Sequence, residues 1–170
     1  MAQSREVRLA CNLRDGMVAP EDSSALPLIR IGEWDIFKDL AKTIPALPKI
    51  AVGPGATWDR EKAIPIDTRH GSATGHLLQS FRLDSIALAA SGKRIAHVGW
   101  TFTYLVEVHD RGANGFLDSL PSKGNGTGVA LINVDDKTLE TASMSFSVAA
   151  PPEGAYRISW DEDILMRRVN

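Results

Sequence analysis

Hydrophobic and polar residues alternate through residues 95–108, the segment IAHVGWTFTYLVEV. Every even position from Ala96 to Val108 is apolar or aromatic, and the odd positions from His97 to Glu107 are small or polar except Leu105. A period of two places alternate side chains on opposite faces of a strand. The pattern therefore predicts an unusually long β-strand with one face against a core and the other toward water or a thin second layer.

Similar segments separated by turn residues predict six strands, at 57–66, 75–90, 93–108, 126–135, 138–150 and 154–168. The connections at Ala90–Lys93 and Asp135–Lys137 are short enough to make the strands that they join antiparallel neighbours, as in a meander. Within 77–90 the apolar set changes from odd to even positions at Asp84–Ser85. Such a change of face predicts a β-bulge, which bends a strand.

The predicted fold class is mainly β: a strongly curved antiparallel meander, forming a half-barrel or a barrel-like sheet. Strands longer than about five or six residues twist and coil, so we expect the sheet to wrap around something. One amphipathic helix is predicted at 33–44, because its apolar residues recur at spacings of three and four before Pro45. The expected organisation is an irregular, proline-rich N-terminal arm at 1–56, which contains the helix, and an antiparallel β domain at 57–170, together one folding unit.

Length and charge limit the function classes. The chain has 170 residues, enough for one domain, and its 19 basic and 21 acidic side chains give a formal charge of -2. That charge offers phosphates no long-range attraction, so nucleic acid is not an expected partner. No stretch reaches the roughly 18 apolar residues of a membrane span, so no transmembrane segment is expected. Because Cys11 is the single cysteine, it gives no information about the redox state of the compartment.

Histidine and carboxylate clusters, which often form catalytic or metal-binding sites, are explained here by turns and exposed strands. His97 and His109 would lie about 40 Å apart along one strand at roughly 3.3 Å per residue, and His70 and His76 flank a predicted turn at 71–75 without further ligands. Alternation splits the acidic run 161–163 between two faces, and aspartates at 135–136 suit a tight turn. We therefore expect no catalytic, cofactor-binding or metal-binding residues, and no cofactor.

Two glycine-rich segments, Gly53–Gly55 and Gly124–Gly128, are also predicted to be turns. Neither stands at a strand-to-helix junction, and neither carries the lysine of a phosphate-binding loop. Phosphate binding is therefore not expected at either segment.

Aromatic and sulfur-containing side chains on the apolar faces form the one candidate site. They either pack as a core wall against the helix or line a pocket for an apolar ligand, and the first interpretation is favoured because small domains rarely leave such surface empty. The residues are Trp34, Phe37, Trp58, Trp100, Phe102, Tyr104, Met144, Phe146 and Trp160.

Part of the chain, from Val52 to Val148, resembles a group of uncharacterised, β-rich bacterial envelope proteins of secreted or lipoprotein-like type. The resemblance is carried by Gly55–Trp58, by Ile64–Thr68, by the strand at 77–86 and by Val134–Leu139. It implies an all-β fold and a periplasmic or envelope-associated location, and it brings no catalytic residues. The N-terminal residues contain no signal peptide, which leaves the cytoplasm open as well.

Three functions are compatible with these patterns. The first is a non-enzymatic accessory subunit that binds a larger, membrane-associated protein assembly from the aqueous side through residues 1–56. The long irregular arm favours it, because such a segment is costly to order without a surface to lie on. The second is a carrier that holds a hydrophobic small molecule in the concave face of the sheet. The third is an enzyme of unknown type.

Overall fold

The computed structural model describes residues 9–12, 17–20, 30–31, 34–35, 45–68, 71–110, 123–149 and 159–167. The described residues before position 57 include four short strands: β1 (Leu9–Asn12) pairs with β2 (Met17–Pro20), and β3 (Arg30–Ile31) pairs with β4 (Trp34–Asp35). Most of the predicted helix at 33–44 lies outside the described residues, and Trp34–Asp35 within it are strand. The helix therefore stays a prediction.

Six long strands form the main sheet. They are β5 (Thr57–Thr68), β6 (Gly71–Leu88), β7 (Arg94–Asp110), β8 (Lys123–Asn133), β9 (Thr138–Ala149) and β10 (Ser159–Arg167). Every neighbouring pair is antiparallel, and the spatial order β10-β9-β8-β7-β6-β5 follows the chain. The predicted antiparallel meander is confirmed. The described strands contain no pairing between β5 and β10, so of the two predicted forms, half-barrel or barrel-like, the sheet is not a closed barrel.

Irregularities in the strand register occur where the side-chain alternation changes phase. Leu83 pairs with Val98 and Ser85 with His97, so Asp84 is the extra residue of a bulge, as the sequence predicts. Further shifts occur at Ser72/Ala73 and at Leu131/Ile132. The predicted turn at 71–75 is wrong, because these residues belong to β6 and pair with β5.

The two faces of the sheet differ in burial. The face that we call inner carries the core, in which residues from β5 to β9 are almost completely buried. Its centre is a row of aromatic side chains, in which Trp58 stacks on Phe81 with ring centroids 5.4 Å apart. The outer face carries the alternate residues of the same strands, which are mostly exposed.

Residues 45–52 lead into β5 and pack against the core near Trp58. Leu47 and Val52 contact the core cluster, and Ala46 is 6% exposed. The indole Nε1 of Trp58 donates a hydrogen bond to the Ala46 carbonyl at 2.9 Å. This segment thus covers part of the inner face with residues of the chain itself.

Candidate functional site

The predicted aromatic wall lies on the inner face wherever its side chains are described. Trp100, Phe102 and Tyr104 alternate along β7 and are buried, and Met144 and Phe146 continue the wall on β9. Trp58 on β5 is half-buried. The remaining three residues add no described contact: Trp160 pairs through its backbone with Val148, Trp34 belongs to β4, and Phe37 lies outside the described residues.

The glycine-rich segment Gly124–Gly128 is not a turn, which corrects the prediction. It forms the start of β8, and its glycines pair with the aromatic row of β7: Tyr104 with Gly124, Phe102 with Gly126 and Trp100 with Gly128. A Cβ atom at residue 126 or 128 would collide with the Phe102 or Trp100 ring. The glycines therefore make room for large rings that lie across the neighbouring strand.

Polar groups also occur on the inner face. Arg60 on β5 pairs with Gln79 on β6, which is 2% exposed, and Gln79 pairs in turn with Phe102. The Trp100 indole Nε1 is buried and has no hydrogen-bond partner among the described residues. A buried donor without a partner costs free energy, so this N–H would gain from a hydrogen bond to an acceptor placed beside it.

The outer face presents a band of small polar side chains that crosses the sheet. One row runs from Asp59 on β5 through Ser80, Thr101 and Thr127 to Ser145 on β9. The next row contains Glu61, Leu78, Thr103, Asn125 and Ser147 in the same order. Almost all of these side chains are exposed, so the outer face presents carboxylates on β5 and hydroxyl or amide groups on the four strands from β6 to β9.

The first of two grooves on this face, groove 1, lies over β5, β6 and β7 and has a volume of about 380 Å³. Asp59, Glu61, Ser80 and Thr101 are among its lining residues. The Ser80 hydroxyl donates a hydrogen bond of 2.7 Å to Asp59 Oδ1. Two carboxylates beside hydroxyl groups make groove 1 suited to a basic side chain.

The second groove, groove 2, lies over the opposite part of the outer face and also has a volume of about 380 Å³. Val129 on β8 and Leu165 on β10 are 59% and 73% exposed, and both flank Ser143 of β9. Polar residues from the bulged part of the sheet, Asp84 and His97, complete the lining. Groove 2 therefore places two exposed apolar side chains among polar ones, a combination that occurs at protein–protein contacts.

The three histidines in the described strands, His76, His97 and His109, do not gather around a common point. His76 is flanked by Glu61, 3.8 Å from Nδ1, and by Glu107, 3.5 Å from Nε2. Because the two carboxylates approach opposite nitrogens of one ring, a single ion cannot bind all three side chains. His109 instead shares a hydrogen bond of 2.8 Å with the Thr74 hydroxyl. No group of three metal-binding side chains occurs in the parts of the chain that the structure describes.

The aspartate pair 135–136 is held in the β8–β9 turn by basic residues from the β6–β7 hairpin. Asp135 accepts hydrogen bonds from the side chain and the backbone N–H of Arg94, and Asp136 pairs with Lys93 at 2.6 Å. The hydrogen bonds from Arg94 lower the pKa of Asp135 below its usual value. Asn133, rather than an aspartate, accepts the backbone N–H groups of the turn. The cluster thus ties two turns together.

Comparison with known proteins adds nothing to this geometry: no family model, no curated protein and no solved structure matches the chain. In the described ranges, no helix is both long and apolar enough to cross a membrane. The residues themselves therefore carry the functional proposal.

Groove 2 was not found by sequence reasoning, although a signal is present. Val129 follows Asn125 and Thr127 at outer-face positions of β8, and Leu165 follows Asp161 and Asp163 in β10. Each is an apolar residue at a position where alternation predicts a polar one. Only the register across β8, β9 and β10 brings the two exceptions to the same groove.

Proposed function

We propose that this protein is a non-enzymatic accessory subunit that binds a protein partner through the outer face of its sheet. The observation that carries the proposal is groove 2, where Val129 and Leu165 are exposed on either side of Ser143. Apolar side chains that remain exposed in the free chain gain the most from burial against a partner. The expected partner places an apolar side chain in this groove.

Groove 1 supports a second contact on the same face. Its two acidic residues, Asp59 and Glu61, are exposed, so a partner with lysine or arginine at the corresponding position would be favoured by charge complementarity. Such exposed pairs add specificity and association rate more than affinity. Binding should therefore weaken moderately with salt, while most of the affinity depends on groove 2.

The proposed partner belongs to a larger, membrane-associated assembly of a bacterial envelope, as the sequence-based hypothesis has it. The subunit would bind this assembly from the aqueous side. Three bulges support strong curvature of the sheet, because each bends the strands that contain it. Residues 1–56 would supply further contacts with the partner.

Binding by matched variants tests this function. The tagged protein is purified from cells that naturally produce it, its partner is identified, and the purified pair is studied by calorimetry. Leu165→Lys should weaken binding at least about ten-fold, since it places a charge in a desolvated contact. Leu88→Lys is the control, because Leu88 is equally exposed at 73% but is not among the residues that line groove 2. Equal affinities for wild type and Leu165→Lys would reject the proposed surface.

A carrier of a hydrophobic small molecule is the second candidate, favoured by the unpartnered Trp100 indole on an aromatic wall. A bound molecule would lie between the wall and residues 45–52, with a hydrogen-bond acceptor at Trp100 Nε1. Native mass spectrometry of freshly purified protein tests this candidate. An added mass that disappears in Trp100→Phe supports a carrier, and the bare protein mass in both variants counts against it.

A further inference from the structure

Three titratable side chains form a diagonal row across β5, β6 and β7 on the outer face. Glu61 of β5 pairs with Leu78, two residues after His76. Glu107 of β7 pairs with Thr74, two residues before His76. The two carboxylates are 3.8 Å from Nδ1 and 3.5 Å from Nε2 of the imidazole. Diagonal neighbours on adjacent strands are within reach of long side chains, so the row follows from the strand register.

Other charged side chains of β5 and β7 do not face this imidazole. Asp59 lies further along β5 and already accepts a hydrogen bond. Arg60 and Lys62 pair with buried residues of β6 and belong to the inner face. On β7, His109 shares its hydrogen bond with the Thr74 hydroxyl. The two glutamates are thus the charged groups that face the imidazole from the strands on either side of it.

Glu61 belongs to this row and also lines groove 1. Histidine is the side chain that ordinarily gains or loses a proton between about pH 5 and pH 8. A protonated imidazole at His76 places a positive charge beside Glu61, and deprotonation removes that charge. The attraction of groove 1 for a basic side chain therefore depends on the protonation of His76.

We propose that His76 is a pH-dependent regulator of groove 1, in which its protonation weakens binding of the partner's basic side chain. The regulation rests on the proposed function, in which a lysine or arginine of the partner binds the two carboxylates of groove 1. At low pH the imidazolium competes with that side chain for Glu61. At high pH the competing charge is absent, so binding strengthens as the pH rises.

The exposure of the row sets the size of the effect. The side chains of His76 and Glu61 are 33% and 68% exposed, so water weakens their interaction. Pairs of this kind change an affinity by about two- to five-fold. The regulation is therefore a graded adjustment of the second contact, while groove 2 continues to supply most of the affinity.

Carbon-13 NMR of the side-chain carboxylates tests the coupling in the isolated chain, without a partner. The Glu61 carboxylate signal should shift in a step at the pH where the ring signals of His76 titrate. The step should disappear in His76→Gln, which cannot be protonated. It should persist in His109→Gln, the matched control on the neighbouring strand. A Glu61 signal without this step, or a step that persists in His76→Gln, would overturn the proposal.

Calorimetry with the partner purified as above tests the consequence for binding. Wild type and His76→Gln should bind equally at about pH 8, and wild type should bind about two- to five-fold more weakly than His76→Gln at about pH 5. His109→Gln should match wild type at both values. Comparing variants at the same pH cancels any titration of the partner. A ratio that does not change with pH would overturn the regulation, whereas failure of the proposed function appears as unchanged binding of Leu165→Lys.

Discussion

Trp100 of β7 lies directly opposite Gly128 of β8, and its indole ring occupies the space next to that glycine where a side chain would stand. Phe102 has the same relationship with Gly126. These pairs allow two bulky rings to lie flat across a neighbouring strand on the inner face. The contact is therefore specific to glycine in β8.

Gly128→Ala should destabilise the fold by about 1–3 kcal/mol, because the added methyl group overpacks against Trp100. A loss of stability would indicate overpacking, because replacing glycine by alanine in an extended chain ordinarily increases stability. Chemical denaturation measures the change. Gly53→Ala is the control, as no atom lies within 4 Å of its added Cβ, and it should not reduce stability. Equal stability of Gly128→Ala and wild type would contradict the ring placement.

Much of this sheet can be predicted from local sequence. The alternation of apolar and polar residues predicts the six strands, and its interruption at Asp84 predicts the bulge. Both can be recognised from the sequence because each depends on the residues of a single strand. The strand position of the β8 glycines could not be predicted in this way, because glycine has no side chain to show which face it is on. Their role depends on contacts with Trp100 and Phe102, which lie more than twenty residues earlier in the chain. The exposure of Ile86 could not be predicted from its own strand either. Ile86 pairs with buried Ala96, but it is exposed because β5 does not extend beside it.

Asn133 should be more important for the β8–β9 turn than either aspartate. It is 4% exposed, and its Oδ1 accepts the backbone N–H groups of Asp135 and Asp136 at 3.1 and 3.0 Å. Asn133→Ala should cost about 1–3 kcal/mol in the free energy of unfolding, because two turn amides lose their acceptor. Exposed Asn125 on the same strand provides the control, and Asn125→Ala should change stability by less than about 0.5 kcal/mol. Similar losses in both variants would argue against the turn assignment.

The ion pair between Arg94 and Asp135 should make stability depend on acid pH. The pKa of Asp135 is lowered in the folded state, so the folded state binds the proton less well than the unfolded chain does. Its contribution is present above the pKa of an unfolded aspartate, about 3.9, and is lost as pH falls through the lower folded value. Asp135→Asn should therefore slightly lower the Tm at pH 7 and have less effect in strong acid. An effect that grows as pH falls would contradict this sign.

Trp58→Phe should loosen residues 45–52 without disrupting the sheet. The substitution keeps an aromatic ring to stack on Phe81 but removes the hydrogen bond to the Ala46 carbonyl. Stability should fall by about 1 kcal/mol, the usual net value of one such bond. Hydrogen exchange should increase in residues 46–52 and remain unchanged in β7 and β8. Faster hydrogen exchange throughout the sheet would show that residues 45–52 do not open independently of the strands.

Site-specific photo-crosslinking tests the central claim, that the outer face binds a protein partner at groove 2. A benzophenone amino acid is placed at position 165, and at position 88 as a control, in cells that naturally produce the protein. Leu88 is 73% exposed at the end of β6 and lines neither groove. We expect one discrete protein adduct from position 165 and none from position 88. The absence of an adduct at position 165, or the same adducts from both positions, would contradict it.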